Sequence, residues 1–117
     1  MSFGKYFKKI RIEKNKTQSD IAKSINKSTM LISGVESGKN SPFSHEDLTK
    51  ICDYLELTDT EKIELFVEAA VERGGVPEYL VAYMREYKSV YRLLNTLKEK
   101  NYDDNKISKL IDTLEEK

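Results

Sequence analysis

The sequence predicts an all-α protein, and three observations support this fold class. Only two prolines and five glycines occur in the 117 residues, so strong helix breakers are rare. Apolar residues recur at the three- and four-residue spacing of amphipathic helices, and no stretch alternates apolar and polar residues long enough for a convincing strand. Hydroxyl-bearing residues also precede several apolar segments, at positions suited to capping helix N-termini.

The first two predicted helices are short and amphipathic. The first ends near Asn15 and carries three apolar residues on one face, namely Phe3, Phe7 and Ile10. Thr17 and Asp20 predict the capping box of a second helix over residues 18–25, which buries Ile21, Ala22 and Ile25. Asn26 tolerates a left-handed backbone, so a tight turn between helices is expected there.

A third helix is predicted over residues 28–37. Ser28 caps this helix, Gly38 ends it, and its inward residues are Leu31, Ile32 and Val35. Within the segment the only ionisable residue is Glu36, although 34% of the chain is charged. A solvated helix face normally carries charged residues. The uncharged outer face therefore indicates a binding surface.

Two further helices complete the first predicted domain. Pro42 places a loop after the third helix, because proline stops helix propagation. The fourth helix begins near Ser44, with Leu48, Ile51, Cys52 and Leu55 facing inward. Thr58 or Asp59 caps the fifth, whose inward stripe is expected to be Ile63, Phe66, Val67 and Ala70. Residues 1–73 are therefore predicted to form a five-helix domain.

The segment around Gly74 is the clearest break, and a helical region is predicted over residues 74–117. Pro77 suits the first position of a helix, and two amphipathic helices follow, with the apolar residues Val90, Leu93, Leu94, Leu97, Ile107, Leu110, Ile111 and Leu114. Four tyrosines recur every four residues and would form one stripe on an unbroken helix: Tyr79, Tyr83, Tyr87 and Tyr91. These tyrosines and Leu94 are expected to pack within the chain or to form a dimer or interaction surface.

The charge distribution favours a polyanionic partner although the formal net charge is zero. Residues 1–41 contain nine Lys or Arg and three Asp or Glu, a net charge of +6, whereas residues 42–117 carry −6. With one cysteine, Cys52, and one histidine, His45, we expect no internal disulfide, no metal site and no cofactor. No apolar run approaches the roughly 20 residues that cross a bilayer, so a cytoplasmic protein without a membrane partner is expected.

Residues 17–39, TQSDIAKSINKSTMLISGVESGK, resemble the helix-turn-helix of the lambda-repressor and Cro type, also called the XRE family. The resemblance rests on Thr17-Gln18, Ile21-Ala22, Asn26 in place of the usual turn glycine, Ser28, and Ile32-Ser33-Gly34-Val35-Glu36-Ser37-Gly38. It covers about residues 3–70. It implies a lambda-repressor-like domain that binds double-stranded DNA with its third helix in the major groove.

The resemblance also implies roles for individual residues. Base contacts would come from the outer or leading side of the third helix: Ser28, Thr29, Met30, Ser33, Gly34 and Ser37. Phosphate contacts would come from the helix ends and the following loop: Thr17, Gln18, Lys27, Lys39, Asn40 and Ser41. In this family an arginine of the first helix braces the recognition helix, so Arg11 and Glu36 are expected to form a structural ion pair.

The sequence thus predicts a sequence-specific DNA-binding regulator, a repressor that binds an inverted-repeat operator as a homodimer. The alternative is an antitoxin-like protein that neutralises a protein partner and regulates its own operon. Catalysis is not expected, because residues 44–47, SHED, are consecutive at a helix start and point in different directions. They are predicted to be the N-cap and first-turn residues of the fourth helix.

Overall fold

A computed structural model describes residues 2–116 of the chain. Met1 and Lys117, the outer ends of the two predicted domains, lie outside the described residues. Within residues 2–116 the chain is all-α, which confirms the predicted class, and its elements are α1 (Phe3–Glu13), α2 (Gln18–Ser24), α3 (Thr29–Ser37), α4 (His45–Tyr54), α5 (Asp59–Glu72), α6 (Glu78–Glu86), α7 (Ser89–Glu99) and α8 (Asp104–Glu115).

At six of the described helices, α1 to α5 and α8, a side chain just before the helix accepts an N–H group that the first turn leaves without an intrahelical partner. The capping box predicted for α2 is confirmed: Thr17 Oγ1 accepts the Asp20 N–H at 3.0 Å, and Asp20 Oδ2 accepts the Thr17 N–H at 2.8 Å. Thr58, rather than Asp59, caps α5 and forms a second capping box with Glu61. The predicted N-caps Ser28 and Ser44 are confirmed for α3 and α4.

Left-handed residues make the turns that reverse the chain between the short helices. Asn26 has φ 56° between α2 and α3, which confirms the predicted turn, and Gly38 has φ 85° directly after α3. Both end a helix by directing the next residues back across it. The turn between α2 and α3 occupies few residues, so the two helices are held close together.

The first compact unit extends to Pro77 and contains the core. Three aromatic rings from α1 and the loop before α4 pack together, with the Phe7 and Phe43 centroids 4.9 Å apart and Phe3 beside both. The remaining core side chains come from all of α1 to α5 and include Ile21, Ile32, Val35, Leu48, Ile51 and Leu65. This core holds α3 from behind and leaves its other side in solvent.

One part of the predicted core is wrong. Ile63, expected on the inward stripe of α5, is 53% exposed, and the buried residues of this helix are Leu65, Ala69 and Ala70. Apolar residues occupy much of the circumference of α5, so helical periodicity is compatible with more than one inward face. The packing of α5 against α1 and α4 decides which face is buried.

A glycine whose role was not predicted from the sequence lies where α1 crosses α3. Gly4 is buried, and a methyl group built on it would lie 2.6 Å from the Glu36 carbonyl oxygen and 2.9 Å from the Glu36 carbonyl carbon. Backbone atoms of a helix cannot move aside as a flexible side chain does. The absence of a side chain at Gly4 therefore sets the distance between α1 and the C-terminal end of α3.

The second compact unit begins at Glu78 and contains α6, α7 and α8. Helix α6 packs against α7, and none of the described residues of this unit is buried. The tyrosine stripe is not on one unbroken helix, because α6 ends at Glu86 and α7 begins at Ser89. No described helix is both long enough and apolar enough to cross a membrane.

We expect Gly4→Ala to lower the free energy of unfolding by about 1–3 kcal/mol, the usual cost of overpacking a core contact. Alanine favours helix formation, so a destabilised protein would identify the crossing with α3 as the cause. Gly75→Ala is the matched control, because no atom lies within 4 Å of a methyl group built there. Urea unfolding measures both variants, and equal stabilities would contradict the contact.

The capping carboxylates make stability depend on pH. Hydrogen bonds from the Thr17 and Thr58 backbone lower the pKa of Asp20 and of Glu61 below their usual 3.8 and 4.5. A group whose pKa is lowered in the folded chain stabilises the fold at pH values above its usual pKa. This contribution to stability is lost as the pH falls through the lower pKa of the folded chain.

The double variant Asp20→Asn, Glu61→Gln should therefore unfold at a lower temperature than the wild type at pH 7. The two proteins should converge as the pH falls through the lowered pKa values of the folded chain, where the wild-type carboxylates become protonated as well. Circular dichroism melts at a series of pH values measure the difference. A gap that does not narrow as the pH falls from 7 through this range would show that ionisation of these groups does not stabilise the caps.

Candidate nucleic-acid interface

The outward side of α3 presents an uncharged surface. Thr29, Met30, Ser33 and Ser37 are exposed, and 82% of Met30 is accessible. Ser28 precedes them and uses its Oγ to accept the Leu31 N–H at 3.2 Å, which leaves its hydroxyl hydrogen available as a donor. This surface offers hydroxyl groups and one thioether, and no charged side chain of α3 reaches it.

The reason is that Glu36, the only ionisable residue of α3, is turned into the protein. Its carboxylate is bound by the Arg11 guanidinium in a bidentate pair, with Nε donating to Oε2 at 2.6 Å and Nη2 donating to Oε1 at 3.0 Å. The two side chains are only 10% and 4% exposed. The structure thus pairs the two residues for which the family resemblance implies an ion pair.

Further hydrogen bonds join this pair to the chain between α1 and α2. Arg11 Nη1 donates to the Lys16 carbonyl oxygen at 2.8 Å, and Gln18 Nε2 donates to Glu36 Oε1 at 3.1 Å. The hydrogen bonds to Glu36 raise the pKa of Arg11 above its already high value, although burial acts in the opposite direction. Arg11 therefore stays charged, and the hydrogen bonds of Arg11 and Glu36 link α1, the start of α2 and the end of α3.

The residues predicted to contact phosphates lie around this surface. Thr17 caps α2, and Gln18 uses one of its two amide hydrogens for Glu36. Lys27 is exposed before α3, and Lys39 and Ser41 are exposed after it. The structure therefore places lysines at both ends of α3.

Gly34 and Asn40 are brought together on the same surface. The Asn40 backbone N–H donates to the Gly34 carbonyl oxygen at 3.0 Å. A methyl group built on Gly34 would lie 2.8 Å from Asn40 Cγ and closer still to Nδ2. The glycine thus leaves room for a side chain of its own protein.

The SHED segment has the capping role predicted for it. Ser44 Oγ accepts the Asp47 N–H at 3.1 Å, and Glu46 and Asp47 lie in the first turn of α4. The His45 ring lies 5.2 Å from the Phe66 ring. These contacts describe the start of a helix packed on the core.

Three features of the site were not predicted from the sequence. These are the close crossing at Gly4, the bond from Gln18 to Glu36, and the position of Asn40 over Gly34. The sequence did carry a signal for both glycines, since each lies inside a predicted helix, where glycine costs about 1 kcal/mol relative to alanine. Their partners lie on other elements, and the spacing of residues along the chain does not identify them.

In a comparison with known families, a family model described as helix-turn-helix matches residues 7–62. Neither the curated proteins nor the solved structures yield a match. The matched residues begin within α1 and end within α5, and they include the Arg11–Glu36 pair and the whole exposed surface of α3.

We expect Arg11→Met or Glu36→Met alone to lower the free energy of unfolding by about 3–5 kcal/mol, because each leaves one buried charge without its partner. The double variant should lose less than the sum of the two single losses. Urea unfolding of all four proteins gives the coupling.

Lys14→Met is the control for this cycle, since Lys14 pairs with Glu61 at 3.4 Å with both side chains about 30% exposed. Its loss should be at most about 1 kcal/mol. Additive losses for Arg11 and Glu36 would mean that the pair does not act as a unit.

Proposed function

We propose, from the premise that residues 7–62 belong to the helix-turn-helix family of the lambda-repressor and Cro type, that the chain represses transcription by binding an inverted-repeat operator as a homodimer. Membership of these residues in the family supports a DNA-binding transcriptional regulator. The repressor role, the form of the operator and the homodimer go beyond that membership.

The observation that carries the proposal is the neutral outer surface of α3. An exposed carboxylate there would face the phosphates that line the major groove and would be repelled by them. The Arg11 guanidinium binds the Glu36 carboxylate within the protein, so that only Ser, Thr, Met and Gly side chains remain outside. Hydroxyl groups can donate to or accept from base edges, and the Met30 thioether can contact a thymine methyl.

The surroundings of α3 suit the two phosphate backbones that border a groove. Lys27 and Lys39 are exposed at opposite ends of the helix, and residues 1–41 carry a net charge of +6. Lysine contacts to phosphates set affinity and orientation without regard to sequence. A regulator of this kind represses by occupying a promoter, which requires no catalytic group.

The apolar residues of the second unit support a homodimer. Tyr91, Leu93, Leu94 and Ile111 are each about half exposed, and Leu114 is 78% exposed. A helical segment of about 40 residues without a buried core is not expected to be stable by itself. These apolar residues of α7 and α8 therefore fit the corresponding residues of a second chain.

Charge complementarity favours a second copy of this chain as the partner. Residues 88–100, around α7, contain four basic residues and one acidic residue, a net charge of +3. Residues 103–116, around α8, contain two basic and five acidic residues, a net charge of −3. In a twofold dimer the α7 of one chain can lie against the α8 of the other, so that opposite charges border the apolar contact twice.

The first test is selection of bound DNA from a random pool by the full-length chain at two salt concentrations. We expect an inverted repeat with half-sites about one helical turn apart and an affinity that falls steeply as salt rises. Lys27→Gln and Lys39→Gln should each reduce the slope of log affinity against log salt by about 1.

Lys50→Gln is the matched control, because Lys50 is exposed on α4 and pairs with Glu46 at 3.3 Å. It should leave the slope unchanged. A wild-type chain that enriches no sequence, or whose affinity does not depend on salt, would contradict the proposed function.

The second test concerns the dimer. Sedimentation of the wild type should give twice the chain mass, and Leu94→Asp should give a monomer whose affinity for the full operator is lower by about 100-fold. Asn95→Asp adds the same charge at the neighbouring position and should remain dimeric. A wild-type monomer, or a dimer that Leu94→Asp leaves intact, would contradict this interface.

A further inference from the structure

We propose that Asn40 is the base-reading amide of this protein: its carboxamide hydrogen-bonds an adenine in the major groove, and Gly34 provides the space that holds it there. The inference rests on the proposed DNA-binding function and assigns one residue and one base within it. It replaces the phosphate contact that the family resemblance implies for Asn40.

After α3 the chain turns back beside the helix. Gly38 adopts a left-handed conformation with φ 85°, which turns the chain back over the last turns of the helix. The Asn40 N–H then donates to the Gly34 carbonyl oxygen at 3.0 Å. This bond fixes the loop residue beside the middle of α3, although Asn40 is three residues beyond the end of the helix.

The Asn40 side chain lies against Gly34. A methyl group at residue 34 would lie 2.8 Å from Asn40 Cγ, so the carboxamide occupies the space that a larger residue 34 would fill. Residues 30, 34 and 37 lie on one face of a helix, because they are three or four positions apart. Asn40 therefore adds its side chain to the base-facing side of α3.

The surface around Gly34 contains a hollow of about 420 Å³. This hollow is lined by Met30, Ser33, Gly34, Ser37, Lys39 and Asn40. Apart from Asn40 and Lys39, its side chains are hydroxyls, a thioether and a hydrogen atom. Asn40 is thus the one planar group with two donors and an acceptor among the residues that line this hollow.

The Asn40 carboxamide matches the hydrogen-bonding edge that adenine presents in the major groove. Asparagine pairs with adenine through two hydrogen bonds, donating to N7 and accepting from the N6 amino group, and this pattern identifies adenine in the major groove. Within residues 2–116 the Asn40 carboxamide forms no hydrogen bond to another residue, so both of its polar atoms are available to a base. Without this residue the hydrogen-bonding side chains on the outer face of α3 are hydroxyls, which do not distinguish donors from acceptors.

The test uses the operator selected by the full-length wild-type chain. Each adenine is replaced in turn by 7-deazaadenine, which lacks the N7 acceptor. We expect one adenine in each half-site at which the substitution weakens wild-type binding by about 10- to 100-fold. Asn40→Ala should bind the unmodified operator more weakly by a similar factor and should no longer respond to 7-deazaadenine at that position.

Two further variants separate this role from a change in folding. Gly34→Ala should remove the response to 7-deazaadenine in the wild-type background, because its methyl group displaces the carboxamide, and should add little to Asn40→Ala. Lys50→Gln, at an exposed position of α4, should keep the full response. Thermal unfolding of each protein is measured in parallel. The 7-deazaadenine substitutions tested on the wild type do not depend on the folding of any variant.

Each outcome decides the matter. If Asn40→Ala weakens the operator and random DNA equally, and every 7-deazaadenine costs it as much as it costs the wild type, Asn40 contacts a phosphate and the inference is wrong. A wild-type chain that is insensitive to 7-deazaadenine everywhere also overturns it, while the proposed function stands on the selected inverted repeat. A wild type that selects no sequence overturns both.

Discussion

The buried ion pair between Arg11 and Glu36 is the interaction on which the presentation of α3 depends. Two charges removed from water cost several kcal/mol each, and good geometry with additional hydrogen bonds must compensate for that cost. Here the guanidinium is bidentate to the carboxylate, and the Lys16 carbonyl and the Gln18 amide bind what remains. These partners come from three parts of the chain. The hydrogen bonds of Arg11 and Glu36 can therefore all form only when α3 is in one orientation relative to α1 and α2. The same pair removes the only negative charge of α3 from its outer surface.

The short helices around this pair owe their formation to their ends and to the core. Isolated helices of seven or nine residues, such as α2 and α3, are not stable in water. Thr17 and Ser28 satisfy N–H groups at their starts, and Ile21 and Ile32 are fully buried. The outer residues of α3 then contribute little to the fold. They are free to be selected for what they contact outside the protein.

The features that could be predicted from the sequence are those that local chemistry decides. The capping box at Thr17 and the left-handed turn at Asn26 each depend on a few consecutive residues, and both are present as predicted. The face of α5 that enters the core, the crossing at Gly4 and the position of Asn40 depend on residues far away in the sequence. Periodicity placed Ile63 inside because it cannot distinguish between overlapping apolar faces when the neighbouring helices are unknown.

The chemistry of the α3 surface and the exposed apolar residues of the second unit both favour the proposed homodimer. Hydroxyl groups and a single carboxamide distinguish few bases, so one copy of this surface would discriminate weakly among DNA sequences. Two copies held at a fixed spacing read twice as many base pairs, and each wrong pair adds its cost. The chain carries a second unit in which Leu93, Leu94 and Leu114 are exposed, and its segments around α7 and α8 have opposite charge. In the proposed homodimer a surface with so few specific groups is used twice, and the exposed apolar residues of α7 and α8 are the proposed contact between the two chains.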